Sequence, residues 1–222
     1  MGARAVPPRD VAPDQPPDAA QLLRQHPDIL HAFLQYGGPP AFKIRAVVAA
    51  TGSPSWGVYA GYELYEHVAV KPGSEEYLDS EKYQIRIRDW DRAERTGQTL
   101  APYLANLNRI RRRHPALQQL RNVLVHSSED DNVLVFSKSI ETDDGVDTVI
   151  VVVNVDPHAP HTTTVHLNMP ALGMGWEDGF AVTDEITGQT WQWGAHNYVH
   201  LDPYEEPAHV LSVHSSSARS TR

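Results

Sequence analysis

Apolar residues at helical spacing predict three helices in the first half of the chain. Residues 27–36 carry apolar positions three and four apart and end at a Gly-Gly pair. Residues 41–51 are apolar on nearly every side, a pattern typical of a helix that is packed on more than one face. Residues 99–113 carry a single apolar stripe, begin with a capping threonine and end in three arginines, which suit the negative end of a helix dipole.

Residues 52–63, between the second and third helices, predict one buried strand that ends in a polar turn. The strand-forming side chains lie at 56–59, and glycines bound the segment. Parallel strands present functional side chains at their carboxyl ends, which makes Glu63 a candidate site residue. The alternative for Glu63 is an ion pair with an arginine, and the candidates are Arg45, Arg86 and Arg88.

Residues 63–91 lack periodicity and are charged and aromatic. A loop of this length in a compact domain is usually either functional or disordered. Its tyrosines argue against disorder: Tyr65, Tyr77 and Tyr83, with Tyr62 just before it. We therefore expect an ordered loop with a role in function.

From residue 122 the apolar pattern changes to the period of strands. Eight candidates follow one another at 122–126, 132–139, 147–155, 162–168, 180–186, 189–193, 197–201 and 207–213. Short strands with frequent turn signals predict an antiparallel β-sandwich.

The single strand predicted in the first part of the chain cannot form a sheet alone. That part therefore looks like the last βα portion of a larger TIM-type barrel, so the expected fold class is an α+β fragment.

Composition excludes several function classes. The chain has 222 residues and a formal net charge of -9, which argues against binding to nucleic acid or to anionic membranes. It has no cysteine, so disulfides and thiolate metal sites are excluded. The longest apolar run, 149–153, fits a strand rather than a membrane span. We expect a cytoplasmic protein with a proline-rich, disordered leader over 1–26 and a loose tail over 214–222.

Several long runs closely resemble the α-1,4-glucan:maltose-1-phosphate maltosyltransferases of the α-amylase superfamily. They include QYGGPPAFKIR at 35–45, SPSWGVY at 53–59, GSEEYLDSEKYQ at 73–84 and HPALQQLRN at 114–122. Shorter ones are PDIL at 27–30, GYEL at 61–64, NMPALG at 168–173 and DEITG at 184–188. The resemblance implies that 27–117 is the C-terminal remnant of a (β/α)8 catalytic barrel and 118–213 a C-terminal β-sandwich. It covers only the last part of such an enzyme, so we expect a truncated chain.

The resemblance also implies a chemistry. Family members transfer maltosyl units from maltose 1-phosphate to α-1,4-glucans by retaining double displacement, which needs a carboxylate nucleophile and an acid/base carboxyl. Both lie upstream of the resembling region in the family, so we expect this chain to be inactive alone. No cofactor is implied. The partners implied are the two substrates, and a homodimer or a separately supplied barrel portion stays open.

Three further site residues follow from the resemblance. Asp28 falls at the position of the transition-state-stabilising carboxylate, although the Asn-Thr that precedes it in the family is absent here. Lys82 and Tyr83 match positions that contact the donor sugar. The alternatives are a helix-capping aspartate and a solvated surface lysine.

Other features have structural interpretations. Twelve histidines without ligand spacing do not predict a metal site. The run 109–113 is basic, which a helix end explains better than nucleic-acid binding. Trp191 and Trp193 share one side of a strand and either stack on glucan or pack in the core.

Two rival functions remain besides the truncated transferase. One is a non-catalytic glucan-binding or structural β-sandwich module. The other is a decayed gene product, which predicts that the helix containing Phe42, Val47 and Val48 exposes apolar surface and promotes association.

Overall fold

A computed structural model describes residues 29–78 and 85–214. The four helices in these residues are α1 (Ala32–Tyr36), α2 (Gly38–Gly52), α3 (Trp90–Arg95) and α4 (Ala101–Arg113). The nine strands are β1 (Val123–Val125), β2 (Ser127–Ser128), β3 (Val133–Thr142), β4 (Gly145–Asn154), β5 (His161–His166), β6 (Phe180–Asp184), β7 (Thr190–Trp193), β8 (His196–Leu201) and β9 (Ala208–His214). Short 3-10 turns cover Tyr62–Leu64, Pro115–Gln118 and Pro170–Leu172.

The strands form the predicted antiparallel β-sandwich. One sheet has six strands in the order β1-β3-β4-β9-β6-β7, and the other has three in the order β2-β5-β8. The longest pairing joins β3 to β4 from Val133 opposite Asn154 to Thr142 opposite Gly145. Gly145 has φ 122°, a conformation that side-chain-bearing residues rarely adopt, and it allows the tight turn between these strands.

Strand β4 is buried on both faces, which explains its unbroken apolar run. Ile150 and Val152 point into a core between the two sheets, together with residues of β8 such as Val199. Val149 and Val151 point the other way, into a second core shared with the helices. The chain is therefore built in three layers: helices, the six-stranded sheet and the three-stranded sheet.

The helical layer confirms the predicted pattern for α2 and α4. Helix α2 contacts α1, α4 and β4, and its buried residues lie all around its axis. Helix α4 buries the stripe of Leu100, Leu104, Leu107 and Ile110. Because the sheet and α4 cover α2, Phe42 and Val47 have no exposed surface. The expectation that this helix exposes apolar surface was wrong for Phe42 and Val47, whereas Val48 is partly buried.

The predicted strand at 56–59 was also wrong. No strand is present between α2 and the turn at Tyr62 in the described chain, and Val58 is 37% exposed. The residue types there favour a strand, but a strand needs a neighbouring backbone for its hydrogen bonds, and the described residues supply none. The segment is held through side chains, since Trp56 Nε1 donates to Asn108 Oδ1 at 3.1 Å.

An arginine at the basic end of α4 stabilises the C-terminal end of the adjacent helix α2. Arg111 is 9% exposed and donates to the carbonyls of Ala50, Ser53 and Pro54, the last two at 2.8 Å. These carbonyls belong to the C-terminal end of α2 and the residues just after it, which lack helical partners.

Among the described residues, none of the helices combines the length and the apolar composition that a membrane span requires.

Candidate functional site

Of the predicted site residues, the structure describes Glu63. Asp28, Lys82 and Tyr83 lie outside the described residues, so their roles stay predictions. The region around Glu63 is formed by the 3-10 turn after the segment 53–60, a short hairpin over 68–78, and residues 85–89.

Glu63 lies in the turn that joins this region to α4. Its Oε2 accepts a hydrogen bond from the Gly61 amide at 3.1 Å, and its carbonyl accepts from the Leu100 amide at 2.7 Å and from Thr99 Oγ1 at 3.2 Å. Gly61 has φ 104°, which lets the turn close. Glu63 Oε1 accepts no hydrogen bond from the described residues.

The arginine pairing considered for Glu63 is made by Glu66 instead. Arg88 Nε donates to Glu66 Oε1 at 2.8 Å and its Nη2 to Oε2 at 3.1 Å, a bidentate pair. Arg86 Nε lies 3.3 Å from the same Oε1. Sequence reasoning missed Glu66, because the acid and its arginines are 20 and 22 positions apart and nothing local links them.

Aromatic rings pack behind the turn. Tyr62 lies 4.8 Å from Phe42 between ring centroids, and its hydroxyl donates to the Phe42 carbonyl. Burial raises the pKa of Tyr62 well above its usual value, so it is a neutral donor at any ordinary pH. Tyr77 packs 5.7 Å from Tyr59, and burial, with Glu66 nearby, raises its pKa to about 12. Within the described part of the predicted loop, Tyr77 is thus packed in the core, as is Tyr62 just before the loop.

An open cleft of about 650 Å³ adjoins the turn. Tyr65 and His67 line one side, and Asp89 and Arg92 of the α3 region line another. The Asp89 side chain is engaged, because Oδ1 accepts from the Arg92 amide at 2.9 Å and caps α3. The cleft offers space and some polarity but no free carboxyl pair of the kind that glycosyl transfer requires.

Several buried or half-buried polar groups join the helices to the sandwich. Tyr103 donates to Glu206 Oε1 at 2.7 Å, and Lys43 Nζ lies 3.9 Å from Glu206 Oε2. Burial raises the pKa of Glu206 above its usual value. Lys138 of β3 is fully buried and donates to the carbonyls of Gln119 at 2.5 Å and Gly52 at 3.4 Å. These groups bond across the layer boundary, so their role is structural.

Two secondary candidates can also be placed. Trp193 is 7% exposed and packs in the core between the sheets, with Trp191 partly buried against it, so core packing accounts for the pair. Within 29–78 and 85–214, no group of three or more His, Cys, Asp or Glu side chains is arranged to hold a metal ion.

Comparison with known proteins gives consistent matches. The family model described as "GLGE, C-terminal" matches residues 125–213. The chain is 54% identical over 206 residues to alpha-1,4-glucan:maltose-1-phosphate maltosyltransferase 2 of Streptomyces coelicolor, covering 90% of this chain and 30% of that protein. It is 54% identical over 187 residues to the Mycolicibacterium smegmatis maltosyltransferase and 52% over 192 residues to that of Mycobacterium tuberculosis.

The chain spans about 30% of the length of the curated relatives it matches. An alignment of 206 residues is longer than the whole sandwich, so it includes most of the helical layer as well. The resemblance predicted from the sequence is therefore confirmed: over most of its length, this chain is homologous to the C-terminal part of the α-1,4-glucan:maltose-1-phosphate maltosyltransferases.

Proposed function

We propose that this chain is the C-terminal part of a maltosyltransferase that moves maltosyl units from maltose 1-phosphate to the non-reducing end of α-1,4-glucans. The identity of 54% across both the helical layer and the sandwich carries the proposal, because it extends over the region expected to contribute donor contacts. The names of these relatives supply the substrates. The cytoplasmic location stays a prediction.

In this proposal, residues 27–117 form the last portion of a (β/α)8 barrel and residues 118–213 the domain beside it. Helices α2 and α4 pack side by side, and the segment 53–60 between them has no strand partner in the described residues. The order in a barrel is helix–strand–helix, so residues 56–59 would form a strand only where neighbouring strands of a longer protein supply backbone partners. Ile85 and Ile87, each 94% exposed, suit the same arrangement.

The proposed site residues act on the donor. Lys82 and Tyr83 would contact sugar hydroxyls, Asp28 would stabilise the transition state, and Glu63 would accept a hydroxyl hydrogen bond at its free Oε1. The nucleophile and the acid/base carboxyl are not among these residues. Because they provide most of the rate enhancement in double displacement, the 222 residues alone should not release phosphate from maltose 1-phosphate.

A chimera tests the proposal. The matching C-terminal part of the Streptomyces coelicolor relative is replaced by residues of this chain, and phosphate release from maltose 1-phosphate is measured with a glucan acceptor. We expect an active chimera and an inactive isolated chain. Glu63→Gln in the chimera should raise the donor KM about tenfold, the loss expected for one hydrogen bond to a charged group. A folded but inactive chimera would refute the function.

A glucan-binding module is the second candidate. The tryptophan pair does not favour glucan binding, because Trp193 is buried. Two other aromatic residues are exposed: Trp176, at 57%, and Tyr198 of β8, at 72%. Titration of the chain with maltooligosaccharides, followed by tryptophan fluorescence, distinguishes this function. The decayed-product alternative loses most of its support from α2, because Phe42 and Val47 are fully buried and Val48 is partly buried.

A further inference from the structure

The outer face of the three-stranded sheet carries polar and aromatic side chains. Side chains alternate along β5 and β8, and Val165, Val199 and Leu201 pack into the core between the two sheets. The alternate positions of the same strands therefore face solvent. These positions, which we call the outer patch, are Thr162, Thr164 and His166 of β5 and His196, Tyr198 and His200 of β8.

The strand register sets the outer patch in cross-strand pairs. The pairs are Thr162 with His200, Thr164 with Tyr198, and His166 with His196. Directly opposite side chains on one face of an antiparallel pair begin about 5 Å apart. The three rings of β8 form a row about 13 Å long, because positions along a strand are about 3.3 Å apart. Each ring in this row has a hydroxyl or an imidazole beside it.

Hydrogen bonds fix the histidine rings of the outer patch. His166 Nδ1 and His196 Nδ1 are 2.7 Å apart, and His166 Nε2 lies 3.3 Å from Glu129 Oε1. The Thr162 hydroxyl and His200 Nδ1 are 2.8 Å apart. Rings that are already held lose little side-chain freedom when a ligand binds, so the outer patch is preorganised.

Tyr198, at the centre of the row, is left open to a ligand. It is 72% exposed, and its hydroxyl makes no hydrogen bond with the described residues. A tyrosine ring packs against apolar C–H groups, and its hydroxyl both donates and accepts hydrogen bonds. Tyr198 can therefore contact a ligand that is apolar on one face and polar at its edge.

The charge of the outer patch selects the class of ligand. The patch has no lysine or arginine, and Glu129 beside it is an acid that is 64% exposed. Because the whole chain also has a formal net charge of -9, a polyanion would be repelled. The patch has too few apolar side chains to resemble the core of a protein interface. A neutral sugar polymer fits, since a pyranose ring has C–H groups on its faces and hydroxyls at its edge.

We propose that the outer patch binds a chain of α-1,4-glucan, with one sugar ring packed on Tyr198 and its hydroxyls bonded to Thr164 and the flanking histidines. This inference rests on the proposed function for the identity of the polymer. In the whole transferase, the patch would hold the glucan that is being extended. Holding it there would raise the local concentration of acceptor ends.

Affinity electrophoresis of the 222-residue chain through gels that contain glycogen tests the inference. Glycogen should retard the chain, and Tyr198→Ala should raise the apparent Kd about tenfold because one stacked ring is lost. Tyr198→Phe keeps the ring and should raise the Kd less than about threefold. Tyr204→Ala is the matched control, since Tyr204 is 68% exposed and lies between β8 and β9. Thr164→Val, which keeps the branched side-chain shape and should raise the Kd about threefold, replaces Tyr198→Ala if that variant fails to fold.

Kinetics in the chimera test whether the outer patch serves the transferase. Tyr198→Ala should raise the KM for glycogen about fivefold, because the polymer loses one of its contacts. The KM values for maltose 1-phosphate and for maltotetraose should not change, since a small substrate gains nothing from a second contact. A variant that merely destabilised the protein would lower the amount of active enzyme and leave all three KM values as they were.

The outcomes separate the two proposals. A chain that migrates identically with and without glycogen refutes the outer patch as a glucan site, and so do Tyr198→Ala and Tyr204→Ala variants that bind glycogen alike. Weaker binding by Tyr198→Ala with an unchanged glycogen KM refutes the role in holding the acceptor. An inactive parent chimera refutes the proposed function, and electrophoresis then still decides whether the outer patch binds glucan.

Discussion

Lys138→Met should change how the stability of the protein depends on pH. Lys138 is fully buried, and its ammonium bonds to two carbonyls rather than to a carboxylate. Burial, with the nearby Arg111 charge, lowers the pKa of Lys138 from 10.5 to about 8. Between these values the unfolded chain binds a proton that the folded chain does not, so the free energy of unfolding rises with pH in this window.

The size of the Lys138 pKa shift sets how much the free energy of unfolding changes with pH. A full shift of this size corresponds to about 3 kcal/mol, of which about 2 kcal/mol falls between pH 7 and pH 9.5. The wild-type protein should gain this amount over that range relative to Lys138→Met, which has no such group. At pH 7 the two proteins should differ little, because the variant removes a buried charge but leaves the Gln119 and Gly52 carbonyls unpaired.

Urea unfolding at pH 7, 8, 8.75 and 9.5 measures the difference between the two proteins. Comparing them cancels the titration of other groups, including the tyrosines. Lys71→Met serves as the control, because Lys71 is exposed and should show no pH-dependent difference. If the difference for Lys138→Met stays constant within about 0.5 kcal/mol over this range, the reasoning from burial to a lowered pKa fails.

Two further stability predictions concern the core and a buried acid. Leu107→Ala removes a side chain of α4 that is 1% exposed in the core of the helical layer, and should cost about 3 kcal/mol in chemical unfolding, whereas Leu120→Ala, 43% exposed, should cost under about 1 kcal/mol. Burial alone would raise the pKa of Asp184, but hydrogen bonds led by that from His209 outweigh it and lower the pKa. Asp184→Asn should therefore cost about 3 kcal/mol at pH 7. The loss should shrink as the pH falls below about 4, because the unfolded wild-type chain then binds a proton that the folded chain does not. A loss independent of pH, or an equal loss in the exposed Asp143→Asn, would contradict this.

The sandwich and two of the helices were predictable because their signals are local. The unbroken apolar run at 149–153 predicted a strand buried on both faces, and β4 has both cores against it. The stripe along α4 predicted its buried face. The prediction of a strand at 56–59 was wrong because a strand depends on a non-local partner. The residue types there favour a strand, but a neighbouring backbone is needed to form one.

The candidate site was less predictable than the fold. Glu63 was predicted as a site residue because it follows a presumed strand. The order of the long loop was predicted from the number of its tyrosines. Glu66 did not follow from anything local, because its partners Arg86 and Arg88 are 20 and 22 positions further along the chain. Pairing over such a separation depends on how the turn and the hairpin fold.

The strand-rich second half, the all-round packing of α2 and the resemblance to the maltosyltransferases followed from the sequence. The folded structure was needed to show that Glu66 pairs with the arginines, that Arg111 of α4 bonds the end of α2, and that the described partners of buried Lys138 are carbonyls. The two groups of features differ in the range of the interactions behind them. Periodicity arises between neighbours in the chain, whereas burial and ion pairing depend on surfaces that meet only after the chain has folded.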